Sequence, residues 1–345
     1  MVRSRSSAST STSTGVSRLW LGIISTVISF PLISSAFDAF TWNRAEQAYQ
    51  DAQCEQAIAS YKILSERWRP VDWQDYKTRS ESRINECSGY QAVLPELEGR
   101  SLTKGVVAAN LFFDRFPNSA LIPPLRQQVT SRLEATTPDT LATAEFCDAL
   151  PSTLGHSLLP RPDQMLPALR HACGEVYQTA GRYNEAIDQL QRFLTDYPNH
   201  EQASAVEVAL AKTLIDQARA NNAGDLPSPV IDGRAAAGTT KVQIRNDSPE
   251  PMRIVFTGPE TRFEELPGCR DCQVFTATVP QSCPEKGPIA TYTLKPGDYQ
   301  VLVRSIGDRS VTPFTGEWSL LDGYQHSNCF YIVQQPVNTD QKPLP

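Results

Sequence analysis

The spacing of apolar residues changes once along the chain, and this change limits the fold more than any other feature of the sequence. From Trp42 to about Asp216, apolar and small residues recur every three or four positions, which is the period of amphipathic helices. Later segments alternate apolar with polar residues and are rich in β-branched and aromatic side chains, which is typical of strands. The sequence therefore predicts a multidomain fold, with a helical domain over residues 42–218 and a β domain over residues 240–335.

Two further segments show neither period. Residues 219–239 mix Gly, Pro, Ala and Asn without a repeat, which predicts a linker between the two domains. The last residues, 336–345, are expected to form a flexible tail. Across the whole chain 26 prolines stand against 18 glycines, and this balance predicts many stiff breaks between short elements.

The first 36 residues carry the pattern of a targeting segment. Residues 1–18 are rich in Ser and Thr and contain three arginines but no acidic residue, and the 18 residues of Leu19–Ala36 contain no charge. A basic flank, an apolar segment and small residues at its end are typical of a secretory signal, although the run also reaches the lower limit for a spanning helix. We expect either a signal peptide cleaved after Ala36 or an uncleaved membrane anchor. The arginines before the run predict export of the remaining chain in both cases.

The distribution of charge argues against a nucleic-acid partner. The formal net charge is -6, and acidic and basic residues are spread along the chain without a basic stripe. Proteins that bind the phosphate backbone usually concentrate Lys and Arg on one face. No nucleic-acid surface is therefore expected.

Eight cysteines indicate an oxidising compartment. Four of them are spread through the helical region, and four lie in the last quarter of the chain at positions 269, 272, 283 and 329. An even number grouped by domain favours structural disulfides over a zinc site or a redox CxxC motif, because only one close CxxC pair exists and no helix is expected after it. Since cysteines with only two residues between them rarely bridge without strain, the favoured pairs are Cys272 with Cys283 and Cys269 with Cys329.

Residues 167–199 contain the clearest repeat in the helical region. Small residues, aromatic residues, a leucine and a closing proline stand at fixed spacing, namely Gly174, Tyr177, Gly181, Tyr183, Ala186, Leu190 and Pro198. This unit resembles the tetratricopeptide repeat (TPR), and partial copies lie at Ala45–Pro70 and Asn110–Ser119. The proteins that it most resembles are TPR proteins of the bacterial cell envelope. A stack of about five units of roughly 34 residues would fill the helical domain.

The resemblance implies a docking groove and two of the disulfides. Stacked TPR hairpins form a concave surface on which a partner helix or extended peptide can lie. The exposed groove positions of the best unit would be Arg170, Glu175 and Gln178, with Arg170 able to pair with a peptide carboxylate; a merely solvated arginine is the alternative. In the stack Cys54 would face Cys87, and Cys147 would face Cys173 in the same way, although free buried cysteines remain a second interpretation.

The β domain is predicted to be a small antiparallel sandwich of about seven short strands. Its turn Pro296-Gly297-Asp298 resembles the strand entry of bacterial surface β-sandwich modules. The alternative function is therefore a ligand- or glycan-binding envelope module in which exposed aromatic side chains serve as platforms. The candidates are Trp318, Tyr324 and Tyr331.

The sequence contains no motif that predicts catalysis. None of the four histidines lies in a metal-binding arrangement, and no nucleophile elbow or phosphate-binding loop occurs. His326, near Cys329, is interpreted as an ordinary surface histidine in a turn before a strand, and a cysteine- or zinc-dependent enzyme is the least favoured hypothesis. We therefore expect an extracytoplasmic scaffold that binds proteins and is neither an enzyme nor dependent on a cofactor.

Overall fold

The computed structural model describes residues 36–69, 72, 74–99, 101–276, 280, 282–308 and 310–333. The predicted targeting segment, apart from Ala36, and the predicted tail, residues 336–345, lie outside the described residues. Among the helices of the described part, none is both long and apolar enough to cross a membrane.

The order of elements is helices first and strands afterwards, as predicted. The described residues contain ten helices: α1 (36–50), α2 (Cys54–Glu66), α3 (Tyr76–Glu98), α4 (Leu102–Arg115), α5 (Ile122–Glu134), α6 (Pro138–Leu141), α7 (Ala144–Gly155), α8 (Pro162–Thr179), α9 (Tyr183–Asp196) and α10 (Ala203–Ala220). They also contain nine strands: β1 (Gly224–Asp225), β2 (Val230–Arg234), β3 (Thr240–Asn246), β4 (Met252–Thr257), β5 (Arg262–Leu266), β6 (Ile289–Leu294), β7 (Gly297–Ser305), β8 (Phe314–Leu320) and β9 (Tyr324–Phe330).

The chain divides into two compact units, and their limits differ from the predicted domains. Of the described residues, one unit comprises those from 36 to 137 and from 148 to 160, and the other comprises those from 138 to 147 and from 161 to 333. Helices α8, α9 and α10 therefore belong to the same unit as the strands. The physical reason is that the apolar face of α10 packs against strands as well as helices. Leu210 and Leu214 share a buried cluster with Val255 of β4 and Leu302 of β7.

In the first unit, a buried polar network joins the helices. The hydroxyl of Tyr49 donates to a carboxylate oxygen of Glu86 and accepts hydrogen bonds from Arg83 at 2.9 Å and from the Ala120 backbone at 3.1 Å. Burial, followed by the bond to Glu86, raises the pKa of Tyr49 above its usual value. A disulfide between Cys54 and Cys87 also links α2 to α3, in the pairing expected from the sequence. Polar bonds and a covalent bond thus join α1, α2 and α3 in addition to their apolar contacts.

In the second unit, α8 and α9 form a tight hairpin. Gly181 has a φ of 72°, a left-handed conformation that glycine adopts without strain, and it lies in the turn as predicted. Tyr177, Ala186 and Leu190 are buried, as expected for the seam of the hairpin. A disulfide joins Cys147 of α7 to Cys173 of α8, which is again the expected pair.

The strands form two sheets around a shared core. One sheet has the order β1-β8-β7-β4-β5, and the other has the order β2-β9-β3-β6, in which β3 pairs with β9 in parallel. The sheets are therefore mixed, whereas the sequence analysis expected antiparallel pairing throughout. The central core draws on both sheets and includes Val242, Ile244, Phe256, Tyr299 and Trp318. The antiparallel prediction is wrong at two places, because β1 also runs parallel to β8.

Residues 219–239, predicted to be a linker, contribute to both sheets. Strand β1 pairs with β8, and β2 pairs with β9 across a register shift between Ile231 and Gly233. These strands were not recognised because they are short and carry few buried residues: Val230, Ile231 and Asp232 are all exposed. Backbone pairing with β8 and β9 holds the segment in place. Such pairing requires no alternation of apolar and polar residues in the sequence.

The disulfides of the last quarter follow a different connectivity from the favoured one. Cys269 pairs with Cys272, and Cys283 pairs with Cys329, so the prediction of crossed pairs is wrong. The chain turns between the first two cysteines, where the Cys272 amide donates to the Cys269 carbonyl at 3.4 Å. This turn brings the two sulfur atoms together, and the spacing rule used for the prediction did not account for it.

The second of these disulfides is supported by a buried aspartate. The carboxylate of Asp247 accepts backbone hydrogen bonds from Glu285, Lys286 and Gly287, at distances of 2.6 to 3.2 Å. These bonds hold the loop that carries Cys283 against the end of β3. The loop therefore has a fixed position from which its cysteine reaches β9.

Candidate functional site

The three predicted groove residues on α8 have different surroundings. The Arg170 side chain is only 11% exposed and forms an ion pair with Asp196 of α9 at 3.0 Å, so it is not the open groove position that was expected. Gln178 donates to Asp216 of α10 at 2.8 Å, and its side chain therefore also serves the packing of helices. Glu175 is exposed and lies 3.6 Å from the His171 ring. Of the three, Glu175 alone remains open to solvent.

A larger candidate site lies inside the second unit, where α9 and α10 meet the first sheet. It is a cleft of about 740 Å³, a size that suits a small ligand or a short peptide segment. The helices provide one wall, and β4, the end of β7 and the segment before β8 provide the other. Its described lining residues are Asn184, Ile187, Leu214, Gln217, Asn221, Asn222, Arg253, Arg304, Ser305, Ile306, Asp308, Ser310, Val311, Thr312 and Pro313.

The helical wall of the cleft is rich in amide side chains. Gln217 donates to the side-chain oxygen of Asn184 at 2.7 Å, and this bond aligns the two amides across α9 and α10. Asn221 and Asn222 follow the last turn of α10 and are exposed. Asn222 has a φ of 59°, a conformation that asparagine tolerates better than most residues and that ends the helix at the cleft. Amides both donate and accept, so this wall matches a ligand with alternating donors and acceptors.

The sheet wall carries two neighbouring arginines. Arg253 of β4 and Arg304 of β7 are directly opposite each other in the antiparallel register. Like charges in such a pair destabilise a sheet, so the arrangement is unexpected for a surface that serves folding alone. Arg253 donates through Nε to Glu265 of β5 at 3.0 Å, which neutralises part of this charge.

Asp308 is the single carboxylate among the described lining residues. Its side chain accepts a hydrogen bond from the Ser310 backbone at 2.8 Å, and hydrogen bonding to Ser310 lowers the pKa of the Asp308 carboxyl. Asp308 is therefore ionised at neutral pH. The cleft thus combines two positive groups, one negative group and several neutral amides.

None of the three aromatic side chains proposed as ligand platforms in the β domain is fully exposed. Trp318 is fully buried, and its ring nitrogen donates to the Pro227 carbonyl at 3.0 Å, so its prediction as an exposed platform is wrong. Tyr324 is half-buried beneath the Arg234 guanidinium, and Tyr331 is half-buried against Phe275. Side chains alternate between the two faces of strand β8, and Trp318 lies on the face that points into the core. A register shifted by one residue would have turned it to the other face.

His326 also differs from its prediction. It lies within β9, not in a turn before it, and is 2% exposed. Its Nε2 accepts a hydrogen bond from the Leu321 backbone at 3.1 Å, and burial lowers the pKa of the ring. His326 is therefore a structural, uncharged histidine. All eight cysteines lie in disulfides, which leaves no free thiol.

No protein-family model matches the chain, and no curated protein matches its sequence.

The cleft residues were not identified from the sequence, because their signal is weak and non-local. The chain between Arg253 and Arg304 contains β5, β6 and the loop that joins them, and only the strand register brings the two arginines side by side. The pair Asn221-Asn222 after a long helical segment was visible, but it was interpreted as the start of the linker. A helix that ends in two asparagines next to predicted strands is the one local signal that could have indicated the site.

Proposed function

We propose that the chain is an extracytoplasmic, non-enzymatic scaffold of TPR-like hairpins and a β-sandwich, and that it binds a protein or peptide partner in the cleft of its second unit. The observation that carries this proposal is the combination of paired amides on one wall with two neighbouring arginines on the other. Amides can bond to the donors and acceptors of an extended peptide, and guanidinium groups pair with carboxylates in a two-pronged geometry. The partner is therefore a peptide segment with an acidic side chain or a free carboxyl terminus.

The TPR-like part of the proposal is supported by the α8–α9 hairpin. Glycine, alanine, leucine and tyrosine stand at the spacing of the repeat, Gly181 lies in the turn, and Tyr177, Ala186 and Leu190 are buried. The cleft lies one helix further along, between α9, α10 and the sheet, instead of on the α8 face that the repeat pattern suggested. A shift of the binding surface is reasonable because Arg170 and Gln178 are engaged with neighbouring helices.

A peptide suits this cleft better than a carbohydrate. Sugar-binding sites commonly place an aromatic ring under the pyranose face, and the described lining residues of the cleft include no aromatic side chain. The envelope-ligand alternative would have to use the half-buried Tyr324 or Tyr331 elsewhere on the β domain.

The proposed location is outside the cytoplasm, either anchored in a membrane or secreted. Four disulfides that use every cysteine support an oxidising compartment. The uncharged run Leu19–Ala36 would provide the route of export.

Site-specific photo-crosslinking tests the proposal. A benzophenone side chain is placed at Asn222 in the full chain in its own cells, and a matched chain carries it at Lys212. Lys212 is an exposed residue of α10 and does not line the cleft. We expect a discrete crosslinked protein with the probe at position 222 and none with the probe at position 212. Equal labelling at both positions, or none at position 222, would count against the cleft.

Defined peptides then test the chemistry. Peptides that cover the crosslinked segment of the partner are compared with versions whose carboxylates are converted to amides. We expect weaker binding of the amidated peptides and a similar loss in a chain with Arg253→Gln. Binding of cell-wall glycan fragments that is unchanged by Arg253→Gln would instead favour the envelope-ligand alternative.

A further inference from the structure

The CxxC motif of the second unit closes a disulfide within itself. Cys269 and Cys272 are three residues apart and are bonded to each other, whereas the sequence predicted that each would bridge to a distant cysteine. A bond that closes so short a loop removes little freedom from the unfolded chain, so the fold depends on it less than on a bond that closes a long loop. The motif can therefore be opened at a small cost in stability.

The Cys269 half of the motif is fixed by contacts other than the disulfide. Cys269 is 5% exposed, and its amide donates to the Ser248 carbonyl at 2.8 Å. The chain just before it is tied to the same segment, because the Asn246 side chain donates to the Pro267 carbonyl at 2.9 Å. Both contacts are independent of the sulfur–sulfur bond. Cys269 therefore keeps its place when that bond is opened.

The Cys272 half is more accessible and is held more loosely. Cys272 is half-buried, and the two residues before it are exposed. Its amide donates to the Cys269 carbonyl at 3.4 Å, which is a long hydrogen bond and lies within the motif itself. Further along, the Phe275 amide donates to the Ile332 carbonyl at 3.0 Å and fixes the chain again. The Cys272 sulfur thus lies in a short loop between two anchors, and it can move away while both anchors stay in place.

The other three disulfides differ in this respect. The two bridges among the helices use cysteines that are all buried, so a thiol of another molecule cannot reach them in the folded chain. Cys283 is exposed, but its loop is fixed by the three backbone bonds to Asp247, and Cys329 is paired with β3 in the sheet. The fold would therefore keep the sulfur atoms of Cys283 and Cys329 side by side after reduction, and the bond would form again readily.

We propose that the Cys269–Cys272 disulfide is a redox modification site that exchanges with a dithiol. A thiolate of the dithiol attacks the Cys272 sulfur, the bond to the Cys269 sulfur breaks, and Cys269 leaves with the electron pair and takes up a proton. The second thiolate of the dithiol attacks its own first sulfur and releases Cys272, which is protonated in turn. The dithiol becomes a disulfide, and the motif gains its two electrons and two protons. This exchange does not depend on partner binding in the cleft.

This direction of exchange needs no helix after the motif. In redox enzymes, a helix N-terminus lowers the pKa of the motif's own thiol so that it can attack a substrate. Here the attacking thiolate belongs to the dithiol, and the motif supplies only the sulfur that is attacked and the sulfur that leaves. The turn and loop of residues 267–274 therefore suit a site that is modified by another molecule.

Differential alkylation of the full, oxidised chain tests the proposal. The chain is equilibrated with dithiothreitol at graded ratios of its reduced and oxidised forms, free thiols are alkylated, and tandem mass spectrometry of peptides measures the alkylated fraction of each cysteine. We expect Cys269 and Cys272 to be reduced at a ratio about tenfold lower than the ratio that reduces Cys283 and Cys329, which serve as the internal control. Circular dichroism should not change in this first step. Reduction of both disulfides in one step, or unfolding in the first step, would overturn the proposal.

Two further measurements test the direction of attack and the source of the dithiol. Rapid alkylation after mixing with glutathione, a monothiol, traps the first mixed disulfide. We expect glutathione on Cys272 and the alkylating label on Cys269, and the reverse would overturn the assigned direction. Reduced thioredoxin then serves as a protein dithiol. Reduction of the motif by thioredoxin would identify a protein as a sufficient source, whereas reduction by dithiothreitol alone would assign the exchange to a small dithiol.

Discussion

A Cβ atom built on Gly174 would lie 2.6 Å from Cδ2 and 2.7 Å from Cγ of Leu190, so α8 and α9 approach each other closely at this one position. Real side chains almost never come this near. Leu190 is fully buried, so its side chain cannot move aside into solvent. The hairpin therefore depends on the absence of a side chain at position 174.

Gly174→Ala should destabilise the second unit. Alanine gains about 1 kcal/mol of helix propensity over glycine, but an overpacked core typically costs about 1–3 kcal/mol. We expect a net loss of roughly 1–2 kcal/mol in the free energy of unfolding, measured by denaturant titration. Gly155→Ala is the control, because the space around a Cβ there is open, and it should be neutral or slightly stabilising.

A double variant separates crowding from other causes. In a Leu190→Ala background the space beside position 174 is open, so Gly174→Ala should lose its cost and become neutral or stabilising. An undiminished cost in that background would show that the close approach of the two residues is not responsible.

This hairpin was the part of the fold that the sequence predicted best. The small residues, the turn glycine and the seam leucine all lie within about 30 residues of one another, so their spacing alone indicates how two helices pack. The face of α10 could not be predicted in the same way, because its apolar stripe suits a helix or a sheet equally well. Only the structure shows that Leu210 and Leu214 contact strands.

The two disulfides of the last quarter should contribute unequally to stability. Cys283 and Cys329 are 46 residues apart, whereas Cys269 and Cys272 are three apart. Closing the longer loop removes more freedom from the unfolded chain. Replacing both cysteines by serine should cost about 4 kcal/mol for the long loop and about 2 kcal/mol for the short one. Chemical denaturation of the two double variants, each with its remaining disulfides verified by mass, measures the difference.

Equal losses for the two variants would contradict this connectivity and would be consistent with the crossed pairs. The correct pairs could not be obtained from spacing, because four cysteines allow three pairings. What decides between them is the position of the loop before β6, which the buried Asp247 fixes. Nothing near Asp247 in the sequence indicates that its carboxylate bonds to residues 285–287.

Asp38→Ala should strongly destabilise the first unit. Asp38 and its partner Arg69 are both almost completely buried, so removal of the carboxylate leaves a buried guanidinium whose remaining ion pair, with Asp72 at 3.8 Å, is longer. Such losses are typically about 3–5 kcal/mol. Asp188→Ala is the matched control, since it removes an equivalent pair with Arg192 that is half-exposed, and it should cost less than about 1 kcal/mol. Thermal unfolding of the two variants checks the comparison, and similar losses would contradict the burial of Asp38.

The buried His326 should make stability depend on pH in the mildly acidic range. Burial lowers the pKa of this ring below its usual 6.5 in the folded chain, while the unfolded chain keeps the usual value. As the pH falls below that value, the unfolded state binds a proton that the folded state refuses, so stability decreases until the lower folded pKa is passed. The unfolding midpoint should therefore fall as the pH is lowered from about 7.5 to about 5.

His326→Gln isolates the contribution of this histidine. Glutamine carries no titrating group, and its side-chain oxygen can accept the Leu321 hydrogen bond that the imidazole accepts in the wild type. The variant should lose some stability at neutral pH but should show a smaller decrease between the two pH values. Asp232, whose negative charge opposes the fall in the pKa, provides a second check. Asp232→Asn should lower the folded pKa further and extend the acid-sensitive range, and a pH dependence unchanged in both variants would place the titrating group elsewhere.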